Sequence, residues 1–219
     1  MPPAWAVCED RAPPRPLTEI TPCPSRSPSG SPPAAPITYL TVNRLEEAAS
    51  AAGITVTLHP FNLGLLFREA GYWPFPEGAA KTTYMWHDIA RQAARRGLSP
   101  RLPAPYPAPD VPLANRIAQV MIDDGQGMEW LKASYREWFE NGHPPGSKAA
   151  TDRSLRAIGA DPAEVLARAR TAQAEAAFAA ATDEARQRGI FGAPSFMVGD
   201  ELFWGDDRLE QAIEAAQRG

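Results

Sequence analysis

Gly192-Ala193-Pro194-Ser195-Phe196-Met197-Val198-Gly199-Asp200-Glu201-Leu202-Phe203-Trp204-Gly205-Asp206-Asp207-Arg208-Leu209 reads as one unit of strand, turn, strand and helix start. Ser195 to Val198 is a short apolar run with strand character. Gly199-Asp200 lies between two apolar runs, a hairpin signal, and Glu201 to Trp204 is the return strand. Gly205-Asp206-Asp207 opens a last amphipathic helix, with acidic groups at the positive end of its dipole. Upstream, Gly189 follows a helical run and caps it. Pro194 cannot donate to a sheet ladder, so it belongs at an edge or in a special turn, and a cis bond is one way to build that turn.

Working outward, helical periodicity marks residues 113–124, 129–141, 151–158, 161–170 and 172–188. Asp161-Pro162 is an N-cap followed by proline at the first helical position. Residues 79–97 predict a helix with Met85, Ile89 and Ala93 inward and Arg91, Arg95 and Arg96 outward. Residues 98–112 are a proline-rich, extended connector. Residues 62–71 make a short helical turn, and the 72–78 loop carries three aromatic side chains. Ile54-Thr55-Val56-Thr57-Leu58 alternates as a strand should. Residues 38–52 predict a helix capped by Gly53. Strands at the two ends with helices between them predict a small α/β domain interrupted by an all-helical insertion.

Residues 1–35 differ from the rest. They hold ten of the 24 prolines and the low-complexity run Ser25-Arg26-Ser27-Pro28-Ser29-Gly30-Ser31. Disorder is the default for such text. A strand before residue 35 would complete a βαβ unit, yet no β-branched alternation is present. Thr18-Glu19-Ile20-Thr21 is the nearest candidate. The expected division is therefore 1–35 as a disordered or non-native segment with the first strand missing or replaced, 36–60 with 189–219 as the α/β domain, and 61–188 as the helical insertion. A shifted reading frame upstream of Pro36 would account for the abrupt change.

The 219 residues are 44% hydrophobic with a net charge of -4. That argues against a nucleic-acid surface, which needs a basic stripe. No apolar run reaches the length of a membrane span, and the N-terminus lacks the apolar stretch of a signal peptide. The expected location is the cytoplasm. Cys8 and Cys23 are the only cysteines and do not form a C-x-x-C pair, so dithiol redox chemistry is not available. His59, His87 and His143 have no metal-ligand spacing, and no metal site is expected.

Three stretches carry a resemblance. The run Gly192 to Phe196 followed by Glu201 to Leu209 resembles the C-terminal signature of the 2-hydroxychromene-2-carboxylate isomerase family. These proteins are relatives of kappa-class glutathione transferases and of DsbA-like proteins. The segment from Gly71 to Gly78, with Lys81, Tyr84-Met85-Trp86 and Asp88, is similar to the family segment after its second strand. Thr38-Tyr39-Leu40 resembles the end of the family motif Ser-Pro-aromatic-Ser/Thr-Tyr-Leu. The resemblance runs from Pro36 to the C-terminus and implies a thioredoxin-like fold with a helical insertion.

It also implies a function: glutathione-dependent isomerisation of an aromatic catabolic intermediate such as 2-hydroxychromene-2-carboxylate, in a homodimer. A kappa-like transferase that keeps the thioether is the alternative enzyme, and a non-catalytic glutathione- or peptide-binding protein the alternative outside catalysis. The family serine, whose hydroxyl faces the glutathione sulfur, aligns with Ala35, which has no hydroxyl. Thr38 is the nearest substitute. By resemblance, Ala193 and Pro194 offer backbone groups to glutathione, and Lys81 meets its glycyl carboxylate. Asp206 and Asp207, at a helix N-terminus, suit the carboxylate and ammonium of a γ-glutamyl end. Tyr39, Tyr72, Trp73 and Trp204 would wall the aromatic pocket. Taken alone, the same residues have plain readings: a first-turn threonine, an edge-strand proline, an Asp N-cap, a solvated lysine and core aromatics.

Overall fold

The computed structural model describes residues 34–218 in full and, before them, the backbone strands β1 (Ile20–Pro22) and β2 (Pro28–Gly30). Cys8 and Cys23 lie outside the described residues. With β3 (Ile54–Leu58), β4 (Ser195–Val198) and β5 (Glu201–Trp204) these form one sheet in the order β1-β3-β2-β4-β5. β2 runs parallel to β3 and antiparallel to β4, so it fills the position expected to be missing. The low-complexity run thus supplies the strand that completes the βαβ unit. Pro28 faces Thr57 of β3, while the ladder with β4 begins one residue later, at Ser29 opposite Phe196. The residue with no N–H therefore sits where only one neighbour is paired. Ile20 and Thr21, the weak candidate, form the antiparallel edge strand against β3 instead.

Two short helices follow β2, α1 (Thr38–Val42) and α2 (Leu45–Ala51). The single helix expected over 38–52 is broken at Asn43-Arg44, where Arg44 leaves helical geometry with φ of -133°. Its guanidinium is drawn to acidic groups at the far end of the chain, described below. Gly53 takes φ of 67°, the left-handed cap that leads into β3.

Seven helices separate β3 from β4 in the described chain: α3 (Leu63–Glu69), α4 (Ala80–Arg95), α5 (Val111–Asp123), α6 (Gly127–Phe139), α7 (Lys148–Ala157), α8 (Pro162–Ala169) and α9 (Ala172–Gln187). Asp110, Ser147, Asp161 and Thr171 each accept a backbone N–H at the start of α5, α7, α8 and α9. Such caps contribute about 1 kcal/mol each. After the β4–β5 hairpin, a 3-10 turn at Asp206–Arg208 runs into α10 (Leu209–Arg218).

The helical segment and the sheet share one core. Leu45, Leu58, Phe196 and Leu209 belong to the same buried cluster as Met85, Ile89, Ile117, Trp130 and Leu155. At its centre Tyr39 stacks on Phe139 with ring centroids 4.2 Å apart. A second cluster, with Phe61, Leu66, Ile190 and Met197, seats α3 and the approach to β4. Among the described residues no helix is long and apolar enough to cross a membrane.

Candidate functional site

Ala35, Ala193 and Trp204 converge on an apolar cavity of about 250 Å³. Ala35 comes from the turn before α1, Ala193 from the loop before β4, and Trp204 from the end of β5. The Ala193-Pro194 bond is cis, and the Pro194 carbonyl accepts the Gly205 N–H at 2.9 Å, tying the loop to the exit of the hairpin. Phe67, Trp73 and Phe75 line the cavity from α3 and the following loop, and Tyr106 and Val111 line it from the proline-rich connector and the start of α5.

The rim is aromatic and half open. Tyr72, Trp73 and Trp204 are 49%, 45% and 50% exposed. Phe191 packs edge-on against Trp204 with centroids 4.9 Å apart. Gly192 lets the Trp204 indole lie directly on the backbone, since a Cβ there would overlap the ring. Lys81 is the one cation among the residues lining this cavity. Its ammonium donates to the Tyr72 hydroxyl at 2.6 Å and sits over the rings of Tyr72 and Phe75.

A second pocket of about 290 Å³ adjoins the first, and Ile37, Ala193 and Trp204 line both. Its character is different: Asp88, Gln92 and Arg96 of the α4 face meet Asp206 and Asp207 across it. Asp206 is 5% exposed, and both its carboxylate oxygens are engaged. Oδ1 accepts from the Thr41 hydroxyl at 2.9 Å and Arg44 Nε at 3.1 Å; Oδ2 accepts from Arg96 Nη2 at 2.7 Å. Arg44 also donates to the Asp206 carbonyl and to Glu210. Burial is the largest single influence on Glu210 and opposes its ionisation, but the hydrogen bond from Arg44, a backbone hydrogen bond and the charges of Arg44 and Arg96 together hold the carboxyl below its usual range. Arg96 Nη1 is buried with no partner among the described residues. Asp207 stays exposed, its carboxylate 2.8 Å from the neighbouring Arg208.

The expected site residues therefore sort into three groups. Ala35, Lys81, Tyr72, Trp73, Ala193 and Trp204 share the apolar cavity, and Asp206 and Asp207 the adjoining pocket. Pro194 shapes the loop without lining either. Thr38 and Tyr39 belong to the interior instead. Thr38 is fully buried, with its hydroxyl against that of Tyr135, so it does not substitute for a hydroxyl at Ala35. Tyr39 is 1% exposed in the core stack, where burial first and Glu140 second push its phenol up to about 12. The helix turns both side chains away from the cavity that opens at its N-terminus. Asp206 serves as a brace between α1, α2, α4 and α10, which leaves Asp207 as the exposed carboxylate of the pair.

Sequence reasoning passed over Arg44, Arg96, Gln92 and Tyr106. Arg96 was expected outward with its neighbours, but it is the residue past the last turn of α4, where the helical wheel no longer sets direction. Arg44 carried no signal of its own, since Glu46 and Glu47 follow it in the same expected helix and make it one charge among several.

Residues 34–217 match the DSBA-like thioredoxin domain family. The chain is 27% identical over 177 residues to the 2-hydroxychromene-2-carboxylate isomerase of Sphingobium xenophagum, covering 80% of this chain and 89% of that one. Among solved structures, a 2-hydroxychromene-2-carboxylate isomerase superposes with a TM-score of 0.74 at 22% identity, over 87% of this chain and 94% of the other. A Streptomyces coelicolor protein described as a probable DsbA oxidoreductase superposes at 0.67 with 20% identity, over 92% and 89%.

Proposed function

Because this chain belongs to the DSBA-like thioredoxin domain family, whose fold it has, we propose that it is a glutathione-dependent isomerase of an aromatic intermediate resembling 2-hydroxychromene-2-carboxylate. The sequence has no C-x-x-C pair, so the dithiol chemistry of redox members of this fold is not open to it. The observation that carries the reading is the junction of a polar and an apolar pocket at Ala193. A peptide-like thiol with charged ends and a flat apolar substrate need just these two environments side by side.

The residues present fit glutathione. The unpartnered Nη1 of Arg96 offers a donor to a carboxylate, and Asp207 an acceptor to an ammonium, so the polar pocket suits the γ-glutamyl end. Ala193 supplies backbone groups to the middle of the tripeptide, as an edge strand would. Lys81, at the apolar rim, would meet the glycyl carboxylate. Bound glutathione would supply a thiolate that adds to an unsaturated carbon, lets the former double bond rotate, and departs unchanged. Tyr72, Trp73 and Phe75 would hold the aromatic ring and exclude water from the reacting carbon.

Isothermal calorimetry and a spectrophotometric assay test this together. Glutathione should bind the full chain, and Lys81→Ala should weaken binding about twofold to fivefold, the value of one exposed ion pair. A cis/trans-isomerisable hydroxychromene acid should then change its spectrum only with glutathione present, without consuming it. Accumulation of a thioether would identify a transferase instead. Binding without turnover would identify a glutathione-binding protein, the reading that the methyl side chain of Ala35 favours.

A further inference from the structure

Resting on the proposal that glutathione binds at the junction of the two pockets, we infer that Tyr106 is the group that donates a hydrogen bond to its thiolate. An anionic sulfur in an apolar cavity is costly unless a donor meets it. Ala35 brings only a methyl group to the cavity, and its carbonyl already accepts from the Tyr135 hydroxyl at 2.9 Å and the Thr38 N–H at 3.1 Å. Thr38 is buried behind it and does not line the cavity. The hydroxyl-bearing residues that do are Tyr72 and Tyr106. Tyr72 stands half exposed at the rim with its oxygen engaged by Lys81. Those three groups, Tyr72, Lys81 and Tyr106, are the titratable side chains among the residues lining this cavity.

Tyr106 differs from Tyr72 on each count. No hydrogen bond among the described residues engages its hydroxyl. It is half-buried and packs against the main core, with its ring edge-on to Trp86 at 6.1 Å between centroids. Its backbone is held on both sides: Pro105 and Pro107 flank it, and the Pro105 carbonyl accepts the Trp138 indole N–H at 2.7 Å. A donor fixed by its surroundings before the ligand arrives loses little entropy on meeting it. Burial raises the phenol above its ordinary range, so near neutrality the oxygen keeps its proton and remains a donor. The thiol proton itself leaves to solvent, and Tyr106 stays neutral throughout. Tyr106, Ala35 and Ala193 line one cavity of about 250 Å³, so a sulfur bound beside Ala193 would share that cavity with the phenol.

The test is the ultraviolet absorbance of the thiolate in the protein–glutathione complex, titrated against pH. The wild-type complex should form thiolate well below the pH at which free glutathione does. Tyr106→Phe should bind glutathione within about threefold of wild type yet hold about tenfold to a hundredfold less thiolate at neutral pH, the worth of one hydrogen bond to a charged group. Tyr106→3-fluorotyrosine, of nearly the same shape but a stronger donor, should shift the titration to lower pH, and it answers the question even if the phenylalanine variant fails to fold. Ala35→Ser added to Tyr106→Phe should restore much of the lost thiolate. If Tyr106→Phe, folded and binding glutathione, titrates like wild type, the inference is overturned while glutathione binding stands. If the wild-type protein does not bind glutathione, both are overturned.

Discussion

The two pockets that meet at Trp204 are held together in opposite ways. The polar one is braced by charge: a carboxylate that is 5% exposed satisfies two guanidinium groups and a threonine hydroxyl from three separate elements. The apolar one is walled by ring faces and proline-flanked loops, with a single ammonium at its edge. In the first, each charged group depends on the others, so the site is rigid and sensitive to loss of a partner. In the second, the walls are independent of one another, so substitution changes what fits more than whether the chain folds. The division suits a ligand whose constant part is charged and whose variable part is flat and apolar.

The sharpest way to break this contrast is Asp206→Ala. It leaves Arg44 and Arg96 half-buried without their shared counter-charge, and removing one partner of a buried pair is strongly destabilising. Both guanidinium groups retain some solvent, so the expected loss is about 3 kcal/mol, read as a fall of roughly 6–12 °C in Tm. A loss under about 1 kcal/mol together with abolished glutathione binding would make Asp206 a ligand and not a brace.

Gly192→Ala acts on both pockets through Trp204, one of the residues they share. A Cβ at position 192 overlaps the Trp204 indole, which must move. Overpacking of this kind costs about 1–3 kcal/mol, and glutathione affinity should fall with it by about tenfold. Denaturant unfolding and calorimetry on the same variant check both. Unchanged affinity in a destabilised protein would show that Trp204 belongs to the rim of the apolar cavity alone.

Much of this arrangement is legible in the sequence, and the exceptions have physical causes. The β4–β5 hairpin is announced by Gly199-Asp200, because only a few residue types take the turn geometry. The inward face of α4 follows from the spacing of Met85, Ile89 and Ala93, all buried as expected. β2 is invisible because Pro28-Ser29-Gly30 has no strand propensity; what places it is the two partners on either side, β3 and β4, and partners cannot be read from three residues. The apolar cavity was legible as a set of aromatic residues around Lys81 and Ala193. Which of them face it was not, since Tyr39 and Tyr72 look alike in sequence and differ only in the packing around each. The charge brace escaped notice because its members lie at positions 41, 44, 96 and 206, with nothing local to connect them.

The mildest test asks what fixes the one charged group at the apolar rim. Lys81 is held in two ways, by a hydrogen bond to the Tyr72 oxygen and by the faces of the Tyr72 and Phe75 rings. Tyr72→Phe removes the first and keeps the second. An exposed hydrogen bond contributes about 0.5 kcal/mol, so glutathione affinity should change no more than about twofold to threefold, with no measurable change in stability. That outcome would confirm that the rings position the ammonium, as expected of a region built from independent walls. A loss of about fivefold, as large as that of removing Lys81 itself, would mean instead that the hydroxyl sets the direction of Lys81, and the apolar pocket would then share the interdependence that marks its polar neighbour.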